Sequence, residues 1–123
     1  MDIRGLIVDD NRSFLDAARV LLEREGVTVV GMASTSAEAV REAEALRPNV
    51  ILVDIALGEE SGFDLARRLA EGGQSNGATV ILISTHAESD FADLIAASPA
   101  AGFLPKAELS ASAIRRIVDG RPR

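Results

Sequence analysis

The strongest constraint on this chain is a rhythm in its hydropathy. Short apolar runs alternate, five times over, with stretches that carry a helical apolar stripe. The runs are Ile3 to Val8, Val27 to Ala33, Val50 to Val53, Thr79 to Ile83 and Gly102 to Leu104. After the first, Phe14, Ala17, Ala18, Leu21 and Leu22 recur at helical spacing until Gly26. Thr35 with Glu38 forms a capping box ahead of Ala39, Val40, Ala43 and Leu46, and Pro48 stops that helix. Phe63, Ala66, Leu69 and Ala70 suit a third helix, closed by Gly72-Gly73, with a loop up to Gly77. Phe91, Leu94 and Ile95 mark a fourth, ended near Pro99, and Ala113, Ile114, Ile117 and Val118 a fifth, ended at Gly120. Such alternation implies an α/β domain built on a parallel sheet. Ile51-Leu52-Val53 and Val80-Ile81-Leu82-Ile83 are apolar throughout, as strands covered on both faces are. The 123 residues suit one domain, with no linker and no repeat beyond the βα unit.

Charge and composition exclude several functions. A formal net charge of −6 argues against a nucleic-acid partner held through phosphates. Without cysteine there is no disulfide or thiolate metal site, and one histidine cannot build a zinc site. The start MDIRGLIVDD lacks the pattern of a leader, and no apolar run reaches membrane-spanning length. The expectation is therefore a cytoplasmic protein with neither membrane nor nucleic acid as partner. One detail stands out: of thirteen Lys and Arg residues, only Lys106 is a lysine.

Parallel α/β sheets bind ligands beyond the carboxyl ends of their strands. The residues at those ends form a coherent set. Asp9 and Asp10 follow the first run, Asp54 the third, Ser84-Thr85 the fourth, and Lys106 the fifth. Crowded carboxylates ionise at a cost unless a cation joins them, and an all-oxygen set suits Mg²⁺. A carboxylate can also act as a nucleophile and become an aspartyl phosphate. Phosphoryl transfer depends mainly on positioning and charge neutralisation. Mg²⁺ and Lys106 would neutralise, and the Ser84 hydroxyl would hydrogen-bond a phosphoryl oxygen. Each piece alone has a plainer reading: Asp9-Asp10-Asn11 as a helix cap, Asp54 as a turn residue. Their joint placement carries the inference.

The sequence resembles the receiver domain of bacterial two-component response regulators over roughly Ile3 to Val118. The matching pieces are LIVDD (Leu6 to Asp10), VILVDI (Val50 to Ile55), Gly62 of ESGFDLA, VILIST (Val80 to Thr85) and AGFLPK (Ala101 to Lys106). The resemblance implies a flavodoxin-like (βα)5 three-layer sandwich with a parallel sheet of order 2-1-3-4-5. It implies that Asp54 is phosphorylated from a phosphohistidine on a sensor histidine kinase or a histidine phosphotransfer protein. Asp9, Asp10, Asp54 and the Ala56 carbonyl would be the Mg²⁺ ligands, Asp9 mainly through water. Lys106 would pair with the phosphoryl group, and Ser84 and Phe103 would move together as the switch that alters binding of a downstream protein target. Ala56 and His86 would tune how long the phosphoryl group survives, although the plainer reading of His86, a solvated loop histidine, carries more weight. The fourth helix, fifth strand and fifth helix, with Asp90, Asp93, Arg115 and Arg116, would form the face for targets or for a homodimer.

Several positions depart from the commoner family pattern. Leu57-Gly58 replaces Met-Pro, and glycine there should loosen the loop over the metal site. Ala107 rather than proline follows Lys106, so that bond could be trans, with a shifted lysine. Thr85 adds bulk beside the site, and Phe103 lacks a tyrosine hydroxyl. These departures keep open a constitutive, unphosphorylated interaction adaptor on the same fold. A hydrolase with an aspartyl nucleophile ranks below both. Residues 1–123 are expected to form a single receiver domain without an output domain.

Overall fold

A computed structural model describes residues 2–71 and 77–120 of the chain. The elements run β1 (Arg4–Val8), α1 (Arg12–Arg24), β2 (Thr28–Ala33), α2 (Ser36–Leu46), β3 (Val50–Asp54), β4 (Ala56–Leu57), β5 (Glu60–Ser61), α3 (Gly62–Glu71), β6 (Thr79–Ser84), α4 (Ala92–Ala97), β7 (Gly102–Pro105) and α5 (Ala111–Asp119). Gly72-Gly73 and the loop through Asn76 lie outside the described residues. Five strands pair in parallel in the order β2-β1-β3-β6-β7. This is the expected 2-1-3-4-5 order, because β4 and β5 belong to a separate two-stranded hairpin.

Alternating strand residues feed two cores. Leu6, Val8, Ile51, Val53 and Leu82 pack with Ala39 and Ala43 of α2 and Leu65, Ala66 and Leu69 of α3. Ile7, Leu52, Ile81 and Ile83 pack on the other face with Leu15, Ala18 and Leu22 of α1 and Ala113 and Ile114 of α5. Each fully buried aliphatic side chain contributes about 1.5–3 kcal/mol, so both layers hold the sheet. Among the described residues no helix is long and apolar enough to cross a membrane.

The helix faces differ in detail from the expected stripes. On α1, Ala17 and Leu21 are exposed and Phe14 is only half-buried; the buried stripe is Leu15, Ala18 and Leu22. Counting apolar residues from Phe14 placed the face one position off, since the i, i+3, i+7 set begins at Leu15. On α3, Ala70 is exposed and Leu65 takes the inner position. The fourth helix is short: a 3-10 turn over Glu88–Phe91 precedes it, and Leu94, expected on its apolar face, is 53% exposed.

The segment after Asp54 is ordered by the residue expected to loosen it. Gly58 adopts φ +62°, which folds Ala56–Leu57 back on Glu60–Ser61 as an antiparallel hairpin. Glu60 Oε1 then accepts the Ser36 N–H at the start of α2, at 2.9 Å. Thr35 caps the same helix, accepting from the Glu38 N–H. At the opposite edge of the sheet Arg4 donates its N–H to Asn49 Oδ1, and its guanidinium to the carbonyls of Leu46 and Arg47. Those are carbonyls that a helix end leaves without intrahelical partners. Asn49 Nδ2 donates in turn to the Asp2 carbonyl.

Gly62 joins the hairpin to α3 where the chain crosses its own backbone. A Cβ there would stand 2.0 Å from the Asp54 carbonyl oxygen and 2.7 Å from Ile55 Cα. Gly62→Ala should therefore destabilise the fold by about 3 kcal/mol or more, the top of the overpacking range, read as a lower urea midpoint. A midpoint equal to wild type would show that the backbone relaxes there without cost.

Candidate functional site

The parallel register delivers the residues of the strand ends to one edge. Asp9 follows β1, Asp54 ends β3, Ser84 ends β6, and Lys106 follows β7. Asp9, Asp54 and Ser84 are buried, Lys106 is half-buried, and Asp10 is exposed. Asp9, Asp10 and Asp54 each offer an oxygen within 4.8 Å of the others. Lys106 Nζ stands 2.6 Å from Asp9 Oδ2 and 2.9 Å from Asp54 Oδ2. The remaining oxygens are held locally. Asp9 Oδ1 accepts the Asn11 N–H at 2.9 Å, and Asp54 Oδ1 accepts the Ala56 N–H at 3.0 Å.

The described peptide bonds are all trans, Lys106–Ala107 included. The lysine is nonetheless not displaced from the carboxylates. Pro105 ends β7, and a 3-10 turn over Lys106–Glu108 starts directly at the lysine, which turns its side chain back over the strand ends.

Ser84 Oγ accepts the His86 N–H at 2.9 Å and lies 3.4 Å from His86 Nδ1. The His86 ring packs edge-on against Phe91, with centroids 5.8 Å apart, and Phe91 lies 6.3 Å from Phe63. His86 is thus exposed but not merely solvated: it touches the hydroxyl at the end of β6. Phe103 is buried beside the Phe91 and Ile95 cluster, whereas Thr85 and Ala56 are exposed.

Charge at this edge is unevenly compensated. Burial pushes the Asp9 carboxyl above its ordinary value; the Lys106 ammonium and the Asn11 N–H pull it down, and the Asp54 charge adds to the rise. For Lys106, burial pulls the pKa down, but the two carboxylates outweigh it and hold the ammonium above the usual lysine value. Asp9 Oδ2 is buried and makes no hydrogen bond of good geometry, despite its short approach to the ammonium. Three carboxylates against one ammonium leave two negative charges unbalanced. A divalent cation with a preference for oxygen fits that set, and Mg²⁺ meets the description.

One contact at the site departs from what the apolar pattern implies. Lys106 Nζ sits over the face of Phe14, 4.4 Å from the ring centroid. An aromatic at helical spacing reads as core, and nothing in the pattern signals a cation above it. Glu60, which ties the hairpin to α2, was likewise silent, because its partner lies 24 residues away.

The family model described as the response regulator receiver domain matches residues 6–119. The chain belongs to that family. Among curated relatives, the uncharacterized transcriptional regulatory protein YvfU of Bacillus subtilis is 33% identical over 123 residues, covering 97% of this chain and 60% of its own length. A solved two-component response regulator of the LuxR family from Aurantimonas sp. SI85-9A1 superposes with a TM-score of 0.86 at 28% identity, over 98% of this chain and 88% of that one. A response regulator from Burkholderia pseudomallei, solved with a phosphorylated aspartic acid, calcium ion and citrate, gives 0.80 at 28% identity, over 94% and 66%. The match spans between 18% and 60% of the length of three curated relatives. The shared family makes this chain a unit of two-component signalling.

Asp9 gives the receiver domain a pH signature. A carboxyl whose folded pKa is raised favours the fold while protonated. Its contribution is complete below the unfolded value, 3.8, and is lost as pH rises through the folded value. Lys106, held above its ordinary value, stays charged across this range. Without metal, the melting temperature of wild type minus that of Asp9→Asn should therefore fall as pH is stepped from about 4 to about 8. A difference that stays flat across those melts would contradict the burial account of Asp9.

Proposed function

We propose that Asp54 takes a phosphoryl group from a phosphohistidine on a sensor histidine kinase or histidine phosphotransfer protein. Asp9, Asp10, Asp54 and the Ala56 carbonyl would hold Mg²⁺. The observation that supports this most is the fixed carboxylate of Asp54. One oxygen is tethered to the Ala56 N–H and the other faces the Lys106 ammonium, beside two further aspartates.

An Asp54 oxygen attacks phosphorus, forming a P–O bond as the P–N bond to the donor imidazole breaks. The imidazole leaves with that electron pair and takes a proton from water. Mg²⁺ held by these residues would supply positive charge to the transferring phosphoryl group. Lys106 pairs with one of the phosphoryl oxygens. Ser84 exchanges its contact with His86 for a phosphoryl oxygen. Phe103 follows by packing alone, since it has no hydroxyl. Residues 1–123 then act as one receiver unit in the cytoplasm that switches binding to a downstream protein. The surface of α4, β7 and α5, where Asp90, Asp93, Arg115 and Arg116 are exposed, serves that target or a second copy.

Incubation with Mg²⁺ and acetyl phosphate should add the mass of one phosphoryl group to wild type and none to Asp54→Ala. No gain in wild type, together with no Mg²⁺ binding, would favour an unphosphorylated adaptor instead. His86→Ala should still be phosphorylated but should change the rate at which phospho-Asp54 loses the group, since the imidazole beside the Ser84 hydroxyl is removed. An unchanged lifetime of phospho-Asp54 would remove His86 from the account.

A further inference from the structure

Lysine reaches its target through a flexible four-carbon stem, so its position needs restraint. Two of the three groups around the Lys106 ammonium, Asp9 and Asp54, are themselves proposed ligands or reactants. Their charge is altered when metal or a phosphoryl group arrives. The third, the Phe14 ring 4.4 Å away, is uncharged and takes no part in either event.

The ring is placed by a closed circuit of contacts. Asp9 Oδ1 accepts the Asn11 N–H, and Asn11 Oδ1 accepts the Phe14 N–H at 3.1 Å as the N-cap of α1. The Phe14 ring lies under Lys106 Nζ, and that Nζ returns to Asp9 Oδ2. The core does not require an aromatic here, because the buried stripe of α1 is Leu15, Ala18 and Leu22. The lysine side chain is only 13% exposed, so its contact with the quadrupole of the ring is weakly screened.

We infer that Phe14 is a positioning residue for Lys106: its ring face keeps the ammonium at the acidic site while Asp9 and Asp54 change partners. This rests on the proposed role of Asp54 and Lys106 in phosphoryl transfer. The plainer possibility is that Phe14 only fills space at the edge of the α1 and α5 core, where it is partly packed.

Two substitutions separate these in the 123-residue chain: Phe14→Leu keeps apolar bulk without a π face, and Phe14→Tyr keeps the face. Because Lys106 is the only lysine, isotope-labelled lysine gives one set of side-chain NMR signals. The ring should shift the Lys106 ε-methylene protons upfield in wild type and in Phe14→Tyr, but not in Phe14→Leu. With Mg²⁺ and acetyl phosphate, Phe14→Leu should be phosphorylated about fivefold more slowly, which corresponds to ~1 kcal/mol at tenfold per ~1.36 kcal/mol. Phe14→Tyr should restore the rate, with thermal melts of all three alike. Equal losses in both variants, or an unchanged rate in Phe14→Leu, would overturn the inference in favour of packing. So would Lys106 signals without a ring shift in wild type. If wild type takes up no phosphoryl group, the phosphorylation reading fails, and with it the transfer role of Phe14; the lysine signals then report only whether the contact exists.

Discussion

One ammonium joins three strand ends. In the sheet, β7 lies three places from β1, with β6 and β3 between them. At about 4.8 Å per strand that is roughly 14 Å, more than a single side chain spans. Lys106, at the start of the 3-10 turn that follows β7, nevertheless places its Nζ 2.6 Å from Asp9 Oδ2 and 2.9 Å from Asp54 Oδ2. Replacing it by an uncharged residue would leave two buried carboxylates facing each other. Losing one partner of a buried ion pair commonly costs about 3–5 kcal/mol. The half-buried setting of Lys106 puts this case toward the lower figure.

The same ammonium leaves the site deliberately short of positive charge. A second lysine would leave only one of the three carboxylates uncompensated and weaken the pull of the site on a metal. The arrangement instead holds Asp9 under-compensated and keeps Asp10 exposed at the rim, where a cation can arrive from solvent. Stability and reactivity therefore draw on one charge imbalance.

Much of this was legible in the chain itself. The alternation of apolar runs and helical stripes implied the parallel sheet, and the carboxyl-end rule then picked Asp9, Asp10, Asp54, Ser84 and Lys106 without coordinates. What stayed hidden depended on direction or on distant partners. The face of α1 turned on whether Phe14 or Leu15 begins the stripe, and an apolar pattern does not say that a ring serves a cation. Gly58 was read as slack, because a flexible residue and a residue that permits a required φ look identical in sequence. Helix α4 was overextended, because Leu94 matches the period while the fold leaves it in solvent. The hairpin's tie to α2 through Glu60 joins residues that no local pattern relates.

The bonds of Arg4 and Asn49 give the molecule a chemical polarity along its strands. At that end the partners are main-chain carbonyls, a main-chain amide and one side-chain amide, all of them uncharged. At the other end three aspartates and a lysine stand together. Work done on the domain by a bound ion or an added phosphoryl group is therefore applied at one pole of a frame whose other pole is indifferent to it.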